Sequence, residues 1–401
     1  AAAATTTTTD HEADDSAADE EVTASDDDAA TTGTTSSSNT SSSSSTGSGG
    51  GGGEAPLAAL LPQQLERVLQ HGQGARLAGD VGDDALDEAG DPTGQRLHVV
   101  PLVGGPARCI TPEPGTHGVV LDHALRRFVD VHSSVAHPPR LRLRELDTGA
   151  VLKDIPYEPD PRVAALNLPA PELTRFKNRH GDTLHAAIYR PDGEGPFPTL
   201  VSVYGGPHAQ RVVDAWSTTV DMRAQALRSR GYLVVKIDNR GSSRRGLAFE
   251  GAIRHDLGHL ELEDQQDGVD WLVKQGLTMR ERVGIYGWSF GGYMAALGVL
   301  RRPDVFHVGV AGAPVVDWHD YDTHYTERYL GLPAENPAAY EDSSLLPSAA
   351  NLRRPLLLIH GTGDDNVYFS HSLKLSDALF RAGRPHDFLP LSGLTHMVPD
   401  A

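Results

Sequence analysis

Gly287-Trp288-Ser289-Phe290-Gly291-Gly292 stands between an apolar run at 282–286 and a helix-like run at 292–300. It reads G-x-S-x-G, the pattern of a nucleophile elbow, a sharp strand-to-helix turn that pushes a serine hydroxyl out of the fold. The glycines have a physical reason. The serine backbone is strained in such a turn, and side chains at the flanking positions would strike the neighbouring strand and helix. In a chain with 42 glycines the string alone is weak. The strand before it and the helix after it give it specificity.

Working outward, the texture from about residue 172 onward is βαβ. Strand-like runs recur at 184–189, 199–204, 233–237, 283–286, 308–311, 356–359 and 387–391, with helix-like segments at 222–230, 259–275, 292–300 and 370–382. Continuous apolar strands alternating with helices predict an α/β fold: a mostly parallel sheet covered by helices on both faces. Ligands in such sheets bind beyond the carboxyl ends of the strands, which is where the elbow sits. Residues 95–160 differ. Short strands at 96–102, 118–121, 127–132 and 141–146, separated by turn residues, read as the end of a larger antiparallel array, about one and a half blades of a β-propeller. Residues 56–94 read as a short amphipathic helix over 56–71 followed by a linker.

Residues 1–55 are Ala, Thr, Ser, Asp and Gly with almost no large apolar side chains. They cannot bury enough surface to offset the entropy of ordering, which predicts a disordered acidic tail ending in a Ser/Gly linker. This tail explains most of the net charge of −19. Twelve acids and no Lys or Arg precede Arg67, and the remaining 42 acids against 35 bases leave −7. That balance argues against nucleic acid as a partner. The lone Cys109 excludes an internal disulfide and a cysteine-built zinc site, and reads as a small buried apolar residue. No apolar run is long enough to span a membrane, and no basic segment followed by an apolar one opens the chain. The chain begins at Ala1 rather than Met, as a fragment or processed product does, so its compartment stays open.

A serine hydroxyl attacks only when a positioned base takes its proton, and that base needs an orienting carboxylate. In the order Ser…Asp/Glu…His both partners follow Ser289, in loops after later strands. The run 356–361 leads into Asp364 and Asp365, and the next strand leads into His396. By spacing either aspartate serves, with Asp364 preferred, and a loop carboxylate there has an ordinary alternative use in holding local backbone amides. His360 ends an apolar strand and reads as structural. His371 opens a helix and His386 precedes a strand, so neither lies in a loop after a strand. The oxyanion needs two donors. One is the backbone N–H of Phe290. The other comes from the loop Tyr204-Gly205-Gly206-Pro207, where the Tyr204 phenol can donate, although a strand-ending tyrosine serves equally as packing.

Residues 172–400 resemble the catalytic domain of the prolyl oligopeptidase family, most closely its dipeptidyl peptidase IV branch. The residues that carry the resemblance are Tyr204-Gly205-Gly206-Pro207, Asp238-Asn239-Arg240-Gly241-Ser242, Glu263-Asp264-Gln265, the elbow through Tyr293, Ala313-Pro314-Val315, Tyr325-Thr326-Glu327-Arg328-Tyr329 and His360-Gly361-Thr362-Gly363-Asp364-Asp365-Asn366-Val367. The resemblance implies the α/β-hydrolase fold and a triad of Ser289, Asp364 and His396, which selects Asp364 over Asp365. It also implies Tyr204 as side-chain oxyanion donor. Val315, Trp318, Tyr321, Tyr325 and Val367 would line a slot for a proline ring, and Asn366 would hold the preceding carbonyl. Aromatic walls suit a flat ring that offers apolar area and no donor. Glu327 and Arg328 are read as a structural pair.

Three departures stand out. Phe290 replaces the Tyr common in the family but keeps its backbone donor. Most of the propeller is missing, and Glu20-Glu21 lacks the aromatic neighbours of the glutamate pair that anchors the substrate's amino terminus, so that role is not carried over. The chain ends five residues after His396, where the family continues into a final helix; without that helix the His396 loop is expected to lack support. The resemblance implies a serine peptidase releasing N-terminal dipeptides after proline or alanine, with no metal or organic cofactor, a peptide as partner, and a homodimer. Alternatives are an oligopeptidase, acylaminoacyl peptidase or esterase with the same triad, or a non-catalytic fragment.

Overall fold

Turn residues between 91 and 155 break the chain into strands too short to form one layer, and two small antiparallel sheets result. The structure is a computed structural model that describes residues 76–79, 91–101, 105–156, 158 and 160–397. The tail expected at 1–55, with Glu20-Glu21, and the helix expected at 56–71 lie outside the described residues. The first sheet pairs β1 (Arg76–Gly79), β2 (His98–Pro101) and β3 (Arg108–Cys109). The second is a meander of β4 (Thr116–Leu121), β5 (Arg127–Ser134), β6 (His137–Glu145) and β7 (Val151–Ile155). Leu97, Val99, Ile110, Phe128 and Leu146 form the small core they share. Cys109, expected buried, is only half-buried, because two-residue β3 runs along the margin of its sheet. β7 escapes sequence reading because it is exposed along nearly its whole length, so no alternation marks it.

The meander is fastened to the larger domain through residues 214–219. The Asp214 carboxylate accepts from the Val135 N–H at 2.9 Å, its carbonyl accepts from the Thr116 hydroxyl at 3.1 Å, and the Thr219 hydroxyl donates to the Val135 carbonyl at 2.6 Å.

The larger domain is an eight-stranded sheet built from β8 (Glu172–Lys177), β9 (Thr183–Tyr189), β10 (Phe197–Ser202), β11 (Leu233–Asp238), β12 (Thr278–Trp288), β13 (Val308–Gly312), β14 (Leu356–Gly361) and β15 (Asp387–Leu391). Their order across the sheet is β15-β14-β13-β12-β10-β11-β9-β8. Every pairing from β15 through β11 is parallel, and β9 and β8 join antiparallel at one edge. This is the mostly parallel sheet that the repeated βαβ pattern predicts. β8 also goes unread: it is an edge strand that buries only Phe176.

Both faces are covered, and the period of two along the strands shows it. In β11, Leu233, Val235 and Ile237 join the main core while Val234 joins a second cluster; β9 splits Leu184, Ala186 and Ile188 from Ala187 and Tyr189 in the same way. The second cluster is closed by α1 (Met222–Ser229) through Ala224 and Leu227. The main core takes in α2 (His259–Lys274) and α3 (Phe290–Arg301). α3 is buried from Phe290 to Leu300, so it is apolar all round rather than amphipathic. Burying Met294, Leu297 and Leu300 stabilises the fold by roughly 1.5–3 kcal/mol per side chain.

Glu261, in the first turn of α2, is fully buried. Its Oε2 accepts from the Gly258 N–H at 2.9 Å, and among the described residues Oε1 has no hydrogen-bond partner. Burial pushes the carboxyl up to about 8 from its ordinary 4.5. Between those two values the folded chain holds a proton that the unfolded chain has released, so this group makes stability fall as pH rises. Glu261→Gln removes that contribution. The difference in Tm between variant and parent is expected to rise steadily from pH 4.5 to about 8, and a constant difference would contradict the assignment.

Candidate active site

The elbow forms where β12 meets α3. Ser289 sits at φ 59° and ψ −121°, a region an L-residue seldom adopts, and its N–H donates to the Gly312 carbonyl at 2.9 Å. The strain is imposed by backbone packing. A β-carbon at Gly287 or Gly291 would lie 2.3 Å from the Val203 carbonyl oxygen, and one at Gly292 would lie 2.1 Å from that of Gly312. Only hydrogen fits at all three.

Asp364 and His396 meet in the loops that follow β14 and β15. His396 Nδ1 donates to Asp364 Oδ2 at 2.8 Å. Asp364 Oδ1 accepts from the Asn366 N–H at 3.0 Å and the Val367 N–H at 2.9 Å, so the carboxylate also serves as the local amide acceptor. Burial opposes its charge. Hydrogen bonds from His360 and His396, the His396 charge and the Asn366 amide outweigh burial and hold the carboxyl well below the usual range. Asp365 is exposed and makes none of these bonds. Among the described residues no hydrogen bond joins the Ser289 hydroxyl to His396, a common state in sites without substrate.

The His396 loop is not left loose. The Trp288 indole N–H donates to the His396 carbonyl at 2.9 Å, tying the base to the residue next to the serine. The Gly363 N–H donates to the Leu394 carbonyl at 2.9 Å, and the Gly393 N–H donates to the Thr362 hydroxyl at 2.8 Å. The rival histidines have other tasks: His371 Nδ1 accepts from the Val316 N–H at 3.1 Å, and His386 bonds the Ser376 hydroxyl at 2.8 Å.

Tyr204 follows β10, and its ring lies 6.1 Å from that of Phe290. The loop is held from beneath by residues the sequence marked without a role. The Asn239 amide donates to the Gly205 carbonyl at 3.1 Å, and the Gln265 amide donates to Asn239 Oδ1 at 3.0 Å. Next to them, buried Asp264 accepts from the Arg240 N–H at 2.7 Å, from its guanidinium at 2.9 Å, and from Asn178 at 2.9 Å.

The slot residues gather beside the elbow. Trp318 packs 5.5 Å from Phe290, edge-on to Tyr321 at 5.8 Å and stacked with Tyr325 at 6.3 Å, with Val315 and Val367 buried in the same core. Tyr321 and Tyr325 are half-buried, and the Tyr321 hydroxyl donates to Asn366 Oδ1 at 2.9 Å. Tyr325 belongs to α4 (Thr323–Leu330), a helix capped by the Asp322 carboxylate. Glu327 and Arg328 form no ion pair with each other, since adjacent helical residues point to different sides.

Residues 218–401 match the profile of the prolyl oligopeptidase family. The α/β domain is thus similar to the catalytic domain of that family. The mouse dipeptidyl peptidase 8 is 43% identical over 227 residues, covering 54% of this chain and 25% of its own length. The mouse prolyl endopeptidase FAP is 32% identical over 261 residues, covering 63% of this chain and 34% of its own. The structure of Porphyromonas gingivalis dipeptidyl peptidase 4 superposes with a TM-score of 0.73 at 27% identity, covering 80% of this chain and 45% of that one. The chain thus spans about a quarter of the length of the dipeptidyl peptidase 8 that it matches. Among the described residues no helix is long and apolar enough to cross a membrane.

In this α/β domain Gly361 lets the two loops approach, because a β-carbon there would lie 2.3 Å from the Leu394 carbonyl oxygen and 2.6 Å from that of Thr395. Gly361→Ala is expected to cost about 1–3 kcal/mol in urea unfolding. Gly251→Ala, which meets nothing within 4 Å, serves as the neutral control. Equal losses would contradict the close approach.

Proposed function

We propose that the chain is a serine peptidase that cleaves N-terminal dipeptides after proline or alanine. The observation that carries this is the 2.8 Å bond from His396 to Asp364, in a loop that Trp288 ties to the serine elbow. Ser289 Oγ attacks the scissile carbonyl while His396 Nε2 takes its proton. His396 then returns that proton to the leaving amine, and water releases the acyl group by the same route. Asp364 fixes the His396 tautomer with its proton on Nδ1 and stabilises the imidazolium that forms. The Phe290 N–H and the Tyr204 phenol hold the oxyanion. Val315, Trp318, Tyr321, Tyr325 and Val367 take the proline ring, and Asn366 takes the preceding carbonyl. The names of the similar proteins, dipeptidyl peptidases and a prolyl endopeptidase, support this substrate class. The assembly is a homodimer, as the resemblance implies; sedimentation velocity reads it directly, and a monomer at working concentration contradicts it.

Chromogenic Gly-Pro, N-blocked Gly-Pro and a short-chain ester separate the readings. Faster turnover of free Gly-Pro is expected. Preference for the blocked peptide assigns an oligopeptidase or acylaminoacyl peptidase, and preference for the ester an esterase. Tyr204→Phe is expected to lower kcat by about 10²- to 10³-fold, the loss typical of one oxyanion donor. An unchanged kcat would return Tyr204 to plain packing.

A further inference from the structure

We infer that His360 is a positioning residue, a second imidazole that shares the Asp364 carboxylate with His396 and sets where that carboxylate meets the base. This rests on the serine hydrolase reading above. His360 ends β14 and is wholly buried. Its Nε2 lies 2.8 Å from the Val367 carbonyl oxygen and 3.1 Å from Asp364 Oδ2, and its Nδ1 lies 2.7 Å from the Ser372 hydroxyl. A carbonyl oxygen can only accept, so Nε2 carries a proton and shares it between Val367 and Asp364. Ser372, also wholly buried, is the partner of Nδ1. The ring is thereby held in one orientation by partners on both nitrogens. Ser372 belongs to α5 (Ser370–Arg381), and the Phe369 ring packs edge-on against the imidazole at 5.6 Å.

A histidine that merely filled the core would not be aimed at the triad carboxylate. With His360 in place Asp364 receives four donors: two backbone amides on Oδ1 and two imidazoles on Oδ2. Val367 is also a wall of the aromatic slot, so the same ring ties the triad to the substrate pocket. The titratable groups around His360 are Asp364, His396 and His371. Removing the His360 donor leaves more of the Asp364 charge to stabilise the His396 imidazolium, the form that cannot act as base.

The test uses the full chain with three variants: His360→Phe, which fills the space without donors; His360→Gln, whose amide keeps a donor near Nε2; and Ser372→Ala, which removes the partner of Nδ1. Near-UV circular dichroism establishes that each is folded. In His360→Phe, kcat is expected to fall about 10- to 100-fold, as misplacement of a catalytic group does. The acid limb of its kcat/KM profile is expected to move up by about half a pH unit. His360→Gln restores most of both, and Ser372→Ala moves the limb the same way by less. The far-downfield proton resonance of His396 Nδ1–H, read without turnover, is expected to shift in His360→Phe and to return towards its original position in His360→Gln. A folded His360→Phe with the parent's acid limb and resonance overturns the inference. Should that variant unfold, the same result in Ser372→Ala overturns it. If the parent hydrolyses none of the three substrates, the hydrolase reading fails, while the resonance still judges whether His360 positions Asp364 and His396.

Discussion

The carbonyl oxygens of Val203 and Gly312 occupy the space where β-carbons would stand at positions 287, 291 and 292. This close approach is the constraint from which the rest of the site follows. It presses the end of β10 and the end of β13 against the turn between β12 and α3, and the chain meets the demand by placing Ser289 at φ 59°. The same contact fixes Tyr204, which directly follows Val203, relative to Phe290. The strain is sustained by α3, whose burial anchors one end of the turn in the main core. Nucleophile and oxyanion loop are therefore one packed unit.

The second half of the site is organised by charge. Asp364 is a buried carboxylate, and a buried charge without partners would release its energy by taking up a proton. Here two amides and two imidazoles keep it ionised. The halves are joined by Trp288, which shares the elbow with Ser289 and holds the His396 carbonyl. The chain after the Tyr204 loop is tied as well: Asp238 accepts from the Arg211 and Val212 amides, and Asp214 reaches the antiparallel meander.

Much of this was legible in the sequence, for reasons tied to particular residues. The elbow could be read because its three glycines, its strand and its helix are contiguous, and the buried strands because runs such as Leu233–Asp238 are largely apolar. Asp364 and His396 could be placed because chain order and strand ends locate them. What stayed hidden lacked a local signal. β7 is exposed along nearly its whole length, and β8 is an edge strand that buries only Phe176. Asn178, Arg240 and Asp264 converge from distant stretches, so no spacing rule joins them. His360 read as structural because a strand-ending histidine is compatible with many environments, and only coordinates show its Nε2 facing both Val367 and Asp364. Trp288 occupies the free position of G-x-S-x-G, where the pattern itself says nothing.

The central claim is that backbone packing at the elbow and the Asp364–His396 pair together make Ser289 a nucleophile. Reaction with a fluorophosphonate, followed by peptide mapping, tests it most directly. The account predicts a single stoichiometric adduct on Ser289, lost in Ser289→Ala, strongly slowed in Asp364→Asn and retained in Asp365→Asn. Folded protein that takes up no label, or takes it up on another residue, would contradict it.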